Sequence, residues 1–210
     1  MPTTRRVTRD DLVVAAAGLL ATKGPHGLSA RALARAVDAS TMAVYTHFGS
    51  MPAVINAVIA EAFARLDTHL ARRLADLDPE SVDHGDPFRE LHAIALAYRD
   101  NALANPHLYV VMFGGPQAIG TALTDTDFAR ARASLRTVAE AAARARDAGH
   151  LVDVDEWELA RRLWAAGHGA VLLELGGYLG ARESARETYV AVIDAVLAGL
   201  SPVAQGSSPG

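Results

Sequence analysis

The chain predicts an all-helical fold: a small three-helix N-terminal unit followed by a larger helical body. Three observations carry that prediction. Apolar residues recur three and four apart through most of the length, as in Leu12, Ala16, Leu19 and Leu20, which is the spacing of one face of an α-helix. Ser, Thr or Asp precedes several of these runs and Gly or Pro follows them, the residues that start and stop helices. No alternating apolar and polar run competes for a strand, and no internal repeat is visible.

The elements follow in order. Thr8 with Asp11 three residues on forms a capping box in which Asp replaces the usual Glu, and the helix it opens stops at Gly24-Pro25. Ser29 opens a short second helix with Leu33 and Val37 on its buried side. Asp38-Ala39 makes a turn and Ser40 caps a third helix. That third segment is rich in β-branched and aromatic residues, Val44-Tyr45-Thr46-His47-Phe48, yet Val44 and Phe48 are four apart, so it fits a helix with one apolar face that Gly49 ends. A longer helix follows Ser50, with Pro52 in its first turn and Ile55, Ile59, Ala62, Phe63, Leu66 and Leu70 along one side.

After the loop "DPESVDHGDP", Pro87 starts a helix that ends at Asn105-Pro106, and an apolar piece runs from His107 to Phe113. A second loop, "GGPQAIGTALTDTD", precedes a helix rich in alanine and arginine from about Asp127 to Asp147. Two further helices close the structure, and "SPVAQGSSPG" has the composition of a disordered tail. The expected organisation is residues 1–50 as the N-terminal unit, a linking helix at about 51–75, a body at 76–200 and the tail at 201–210.

Composition narrows the function. Of 210 residues, 50% are hydrophobic and 21% charged, an ordinary globular balance. No apolar run reaches the roughly 18 to 20 residues of a spanning helix, so the expectation is a soluble cytoplasmic protein with no membrane partner. With no cysteine, disulfides, thiolate metal sites and cysteine nucleophiles are excluded. Gly-rich phosphate loops, GxSxG and HExxH are missing, and the eight histidines are scattered; the reading is therefore not an enzyme, with no catalytic residue, metal or cofactor. Asp155, Glu156 and Glu158 sit at a helix start, where they complement its dipole. Residues 1–50 carry a net charge of +3, from six basic groups against three acidic ones, and the remainder carries −7. A basic end on an acidic body points to an anionic partner for that end, although chance produces such asymmetry too.

Two short helices joined by a tight turn make a helix-turn-helix, whose second helix lies in a DNA major groove. In that arrangement Val44 and Phe48 hold the helix while Thr41, Met42, Tyr45, Thr46 and His47 project from it, with hydroxyls and an imidazole for phosphates and a Thr methyl or Met for a thymine methyl. The plainer alternative makes Tyr45 and His47 ordinary surface residues of a helical protein. Residues 8–66, most sharply "LSARALARAVDASTMAVYTHFGSMPAVINAV", resemble the N-terminal domain of the TetR family of bacterial transcriptional repressors. The resemblance rests on Ser40, on "VYTHF" at 44–48 and on Val54, Ile55, Val58 and Ile59. It implies that Arg31 reads a base, that Thr41, Met42 and Thr46 face bases, and that Ser40, Tyr45 and His47 face phosphates. Three residues depart from the family pattern. Asp38 stands where Gly is usual, Met51 stands where a phosphate-binding Lys is usual, and Gly49 is uncharged, so backbone contacts lean on helix N-termini and on Arg5, Arg6 and Arg9.

The resemblance further implies that the body senses a ligand and dimerises. Trp164, His168 and Gly169 look like a subgroup whose C-terminal domain is named for a Trp-His-Gly signature. Tyr98, Tyr109, Met112, Phe113, Phe128, Trp164 and His168 are the candidate contacts for an apolar or aromatic small-molecule effector, or else plain core. Gly167, Gly169, Gly176 and Gly177 disfavour a helix, so a packing reason is expected for them. The last two helices would pair with their copies as a four-helix bundle, and a twofold homodimer suits a palindromic operator. Release of the operator by the effector would make the protein a repressor. The alternatives are a helical small-molecule-binding protein that does not bind DNA and, behind it, a helical enzyme.

Overall fold

In the computed structural model, residues 7–77, 86–113 and 124–202 are described. Arg5, Arg6, the greater part of the two expected loops and the tail beyond 202 lie outside them. Among the described residues all regular structure is helical. Helix α1 (Arg9–Lys23) opens on the expected capping box: the Asp11 N–H donates to the Thr8 hydroxyl at 3.2 Å and the Thr8 N–H to the Asp11 carboxylate at 2.9 Å. Two donors that a helix start leaves without intrahelical partners are thereby satisfied. After Gly24 a single 3₁₀ turn, Pro25–Gly27, leads to α2 (Ala30–Ala36), capped by the Ser29 hydroxyl.

Val37 is only half-buried, because α2 has already ended and it serves as the C-cap; Ala34 takes the buried place beside Leu33. Asp38 follows at φ 51, the left-handed geometry that Asp tolerates better than most side chains. Ser40 accepts from the Ala43 N–H at 3.2 Å and starts α3 (Thr41–Phe48). The segment with strand-like composition is thus a helix, fixed by Val44, which has no exposed surface. Gly49, at φ 74, ends it with its N–H on the Tyr45 carbonyl at 2.8 Å, a conformation that suits glycine.

Helix α4 (Met51–Ala75) is capped by the Ser50 hydroxyl, which accepts from Ala53 N–H at 3.3 Å. Ile59, Ala62, Phe63, Leu66 and Leu70 are buried as the spacing predicts, Val54 and Val58 join them, and Ile55 is half-buried. Then come α5 (Arg89–Ala104), α6 (Pro106–Phe113), α7 (Asp125–Asp147), α8 (Glu156–Leu175) and α9 (Arg182–Gly199).

The chain forms two compact units whose segments interleave: Met1–Arg65 with Asn105–Ala131, and Leu66–Ala104 with Arg132–Gly210. In the first unit α1 packs against α2, α3 and α6. Its core includes Leu12, Leu20, Leu33, Val44 and Tyr109, with Phe113 set 5.0 Å from Tyr109 and 5.7 Å, edge-on, from Phe63. In the second unit α8 packs on α9 and α5. The Tyr189 hydroxyl donates to the Ala95 carbonyl at 2.8 Å. Gly167 sits so close that a Cβ there would come within 3.0 Å of that hydroxyl, the packing reason for one of the costly glycines. Arg99, 2% exposed, pairs through Nε at 2.7 Å with Glu174 and also donates to the Arg182 carbonyl, joining α5 to the end of α8 and the start of α9. Such a pair offsets the cost of desolvating two charges only because its geometry is bidentate.

Candidate nucleic-acid interface and sensing cluster

The local rules that build α2 and α3 also decide what they expose. With Val44 buried, the residues between the core positions turn outward: Met42 is 71% exposed and Tyr45 47%, and Thr41, Thr46, Ser40 and Arg31 are exposed as well. The outward face holds one thioether, one phenol and two threonines, and a guanidinium stands on α2. The Thr46 hydroxyl donates to the Met42 carbonyl at 2.8 Å, so its proton is spent inside the helix. Ser40 keeps its proton, since its oxygen only accepts from Ala43.

His47 differs from the other expected phosphate contacts. It is half-buried and its Nε2 lies 3.2 Å from the Val7 carbonyl, which can only accept, so that nitrogen carries the proton and donates. Beside it the Arg9 guanidinium stacks over the Phe48 ring, 4.9 Å from its centre, a cation–π contact of about 0.5–1 kcal/mol where water reaches it. Together these fasten the start of α1 to the end of α3. Sequence reading missed both, taking Arg9 as a contact for the DNA backbone, because nothing local marks a pair some 40 residues apart.

The seven expected effector contacts fall into two groups. Tyr98, Trp164 and His168 belong to the second unit and do meet: the Tyr98 hydroxyl is 3.1 Å from His168 Nδ1, and the Trp164 and His168 ring centres are 5.4 Å apart. Burial lowers the His168 pKa, and the ring shares a hydrogen bond with the Tyr98 hydroxyl whose direction is set by the imidazole tautomer. Tyr109, Met112, Phe113 and Phe128 belong to the first unit. Tyr109 and Met112 are 2% and 4% exposed and serve as core, the Phe113 ring lies tilted against that of Tyr109, and Phe128 is 59% exposed. For Tyr109 and Met112 the apolar character is accounted for by packing in the core of the first unit.

An apolar surface remains in the second unit. Leu172 and Leu173 are 46% and 48% exposed, Trp164 36%, and Tyr178, just beyond α8, 80%. Large apolar side chains grouped on one helix and its exit are unusual on a surface that meets only water. Among the described residues no group of His, Asp and Glu is arranged to hold a metal, and no single helix is long and apolar enough to cross a membrane.

Residues 12–58 match the family described as "Bacterial regulatory proteins, tetR family", and residues 91–196 match "Tetracyclin repressor-like, C-terminal domain". The second match does not single out a Trp-His-Gly subgroup. Among curated proteins none matches the sequence. Among solved structures, a protein of unknown function from Rhodococcus sp. RHA1 is similar at 27% identity with a TM-score of 0.79, over 96% of this chain and 100% of that one. SmeT, the repressor of the Stenotrophomonas maltophilia multidrug efflux pump SmeDEF, is similar at 21% identity and TM-score 0.65, over 98% and 97%. The TetR family regulator PfmR from Thermus thermophilus is similar at 20% identity and TM-score 0.61, over 90% and 98%. A helix-turn-helix with its second helix turned outward, joined to a helical body that matches the family over more than half the chain, is the architecture of a non-enzymatic regulator, and this chain belongs to the TetR family of transcription regulators.

Proposed function

We propose that the protein is a homodimeric repressor that binds a palindromic operator and releases it when a small molecule occupies the body. The observation that carries the DNA half is α3, held by Val44 and presenting Thr41, Met42, Tyr45 and Thr46 to solvent. Ser40 and Tyr45 serve phosphates, Arg31 takes a base edge, and Thr41, Met42 and Thr46 meet bases. His47 holds residue 7 in place through Nε2, and a phosphate contact from its Nδ1 requires the doubly protonated ring. The reading head is residues 1–50, joined through 51–75 to the sensing and dimerising body at 76–200. The cytoplasm is where such a regulator meets its operator.

The dimer reading is supported by the exposed Leu172, Leu173 and Tyr178, which a second copy would cover through α8 and α9. The effector reading is supported by Tyr98, Trp164 and His168, an aromatic cluster with polar handles suited to a planar or apolar ligand. A ligand that prefers one arrangement of the body by about 1–3 kcal/mol changes DNA affinity 5- to 150-fold.

A gel shift with DNA from beside the protein's own gene, run over a series of salt concentrations, tests the central reading. Specific retardation that weakens steeply with salt is expected. Absence of any retarded fragment would leave a helical ligand-binding protein without DNA recognition.

A further inference from the structure

Between Thr41 and Phe48 the sequence has no Arg, Lys, Asn, Gln, Asp or Glu. Those are the side chains that address guanine, adenine or cytosine from a major-groove helix by strong hydrogen bonds. What α3 offers instead is Met42, 71% exposed, and one helical turn later Thr46, whose hydroxyl is committed to the Met42 carbonyl at 2.8 Å. That bond turns the polar atom of Thr46 back to its own backbone and leaves the methyl available to a ligand. The four-residue spacing puts both apolar groups on one face. The face is unlike a core face, which Val44 already supplies on the other side.

The major-groove edge of DNA carries one apolar group, the 5-methyl of thymine. Resting on the DNA-binding reading above, we propose that α3 selects its half-site through thymine 5-methyl groups, Met42 packing on one and the Thr46 methyl on a second. Affinity comes from elsewhere: the +3 charge of residues 1–50 and the Ser40 and Tyr45 hydroxyls meet phosphates, which carry no sequence information. The preferred half-site is therefore rich in thymine beneath α3, with any guanine preference coming from Arg31 on α2.

Uracil substitution tests this, because uracil keeps every hydrogen-bonding atom of thymine and lacks only the methyl. On an operator fragment found by gel shift, thymines are replaced one at a time in both half-sites and affinity is measured by fluorescence anisotropy. Uracil at two positions in each half-site is expected to weaken binding, by about three- to fivefold for each methyl removed. Met42→Ala should abolish the penalty at one of these positions and Thr46→Ser, which keeps the hydroxyl, at the other. Both residues are exposed, so the variants fold. Specific binding with no uracil penalty anywhere would overturn this inference while leaving the DNA-binding reading intact. A penalty that neither variant changes would overturn the assignment to Met42 and Thr46, and no specific binding to any fragment would overturn both readings.

Discussion

Arg31 stands exposed at the first turn of α2. A guanidinium placed to take the paired major-groove acceptors of a guanine discriminates one base pair, whereas one on a phosphate weakens every sequence alike. Arg31→Ala is expected to relax preference at a single base pair by about 1–3 kcal/mol, read from affinities across a library of operator variants. A second prediction at this scale concerns Tyr189. Burial pushes its phenol well above the ordinary value, and its hydroxyl is bonded to the Ala95 carbonyl. The unfolded chain ionises at about pH 10 while the folded phenol resists, so unfolding releases a proton above that pH and stability falls as pH rises through it. Tyr189→Phe should cost about 1 kcal/mol at neutral pH and flatten the alkaline decline, measured as urea midpoints at neutral pH and at about pH 11. Single residues also show what sequence makes legible. The caps Thr8, Ser29 and Ser40 were readable because a cap acts within three residues of itself. The partners His47–Val7, Tyr98–His168 and Arg99–Glu174 were not, since they lie 40, 70 and 75 residues apart and their meeting is decided by helix packing.

Helices set the next scale, and α3 is the clearest case. Its composition favours a strand by propensity, yet one apolar position per turn, a serine before it and a glycine after it define a short helix, and packing of Val44 settles the matter. Asp38 at φ 51 makes the turn into it where the family pattern has glycine. The cost of that geometry is moderated by the short polar side chain, so the departure alters the residue and not the bend. Ends of elements were read less well than their existence: α7 begins at Asp125, two residues before the expected start, and α2 ends before Val37. The approach of α8 to α9 gives a prediction. Gly167→Ala gains about 1 kcal/mol of helix propensity but drives a methyl to within 3.0 Å of the Tyr189 oxygen, which its bond to Ala95 holds fixed. A net loss of about 1 kcal/mol is expected by chemical denaturation, since overpacking usually outweighs propensity. Gly18→Ala on α1, where an added Cβ would meet nothing within 4 Å beyond the helix's own backbone, is the contrast and should stabilise by up to about 1 kcal/mol.

At the scale of the whole molecule, the proposed regulation requires two copies acting on one operator. Replacing Leu172 or Leu173, each nearly half exposed, by glutamate places a charge on the surface proposed to be shared. The variant is expected to sediment as a monomer, and its DNA affinity to drop by about a hundredfold or more as two tethered half-site contacts become one. Unchanged sedimentation would move the dimer surface elsewhere. Sequence read the broad plan, an N-terminal helix-turn-helix and a helical body, because helical spacing and end signals mark most of the helices. It did not read that α6 packs on α1, since an eight-residue apolar helix carries no address. That pairing bears on how the molecule can be taken apart. Because Tyr109 and Phe113 help close the first unit against α1 and Phe63, the helix-turn-helix is not a transplantable cassette on its own. A hybrid regulator spliced after residue 65 would leave Phe63 and the α6 side of α1 bare, and should be recovered insoluble unless the graft also carries the stretch from Asn105 to Ala131.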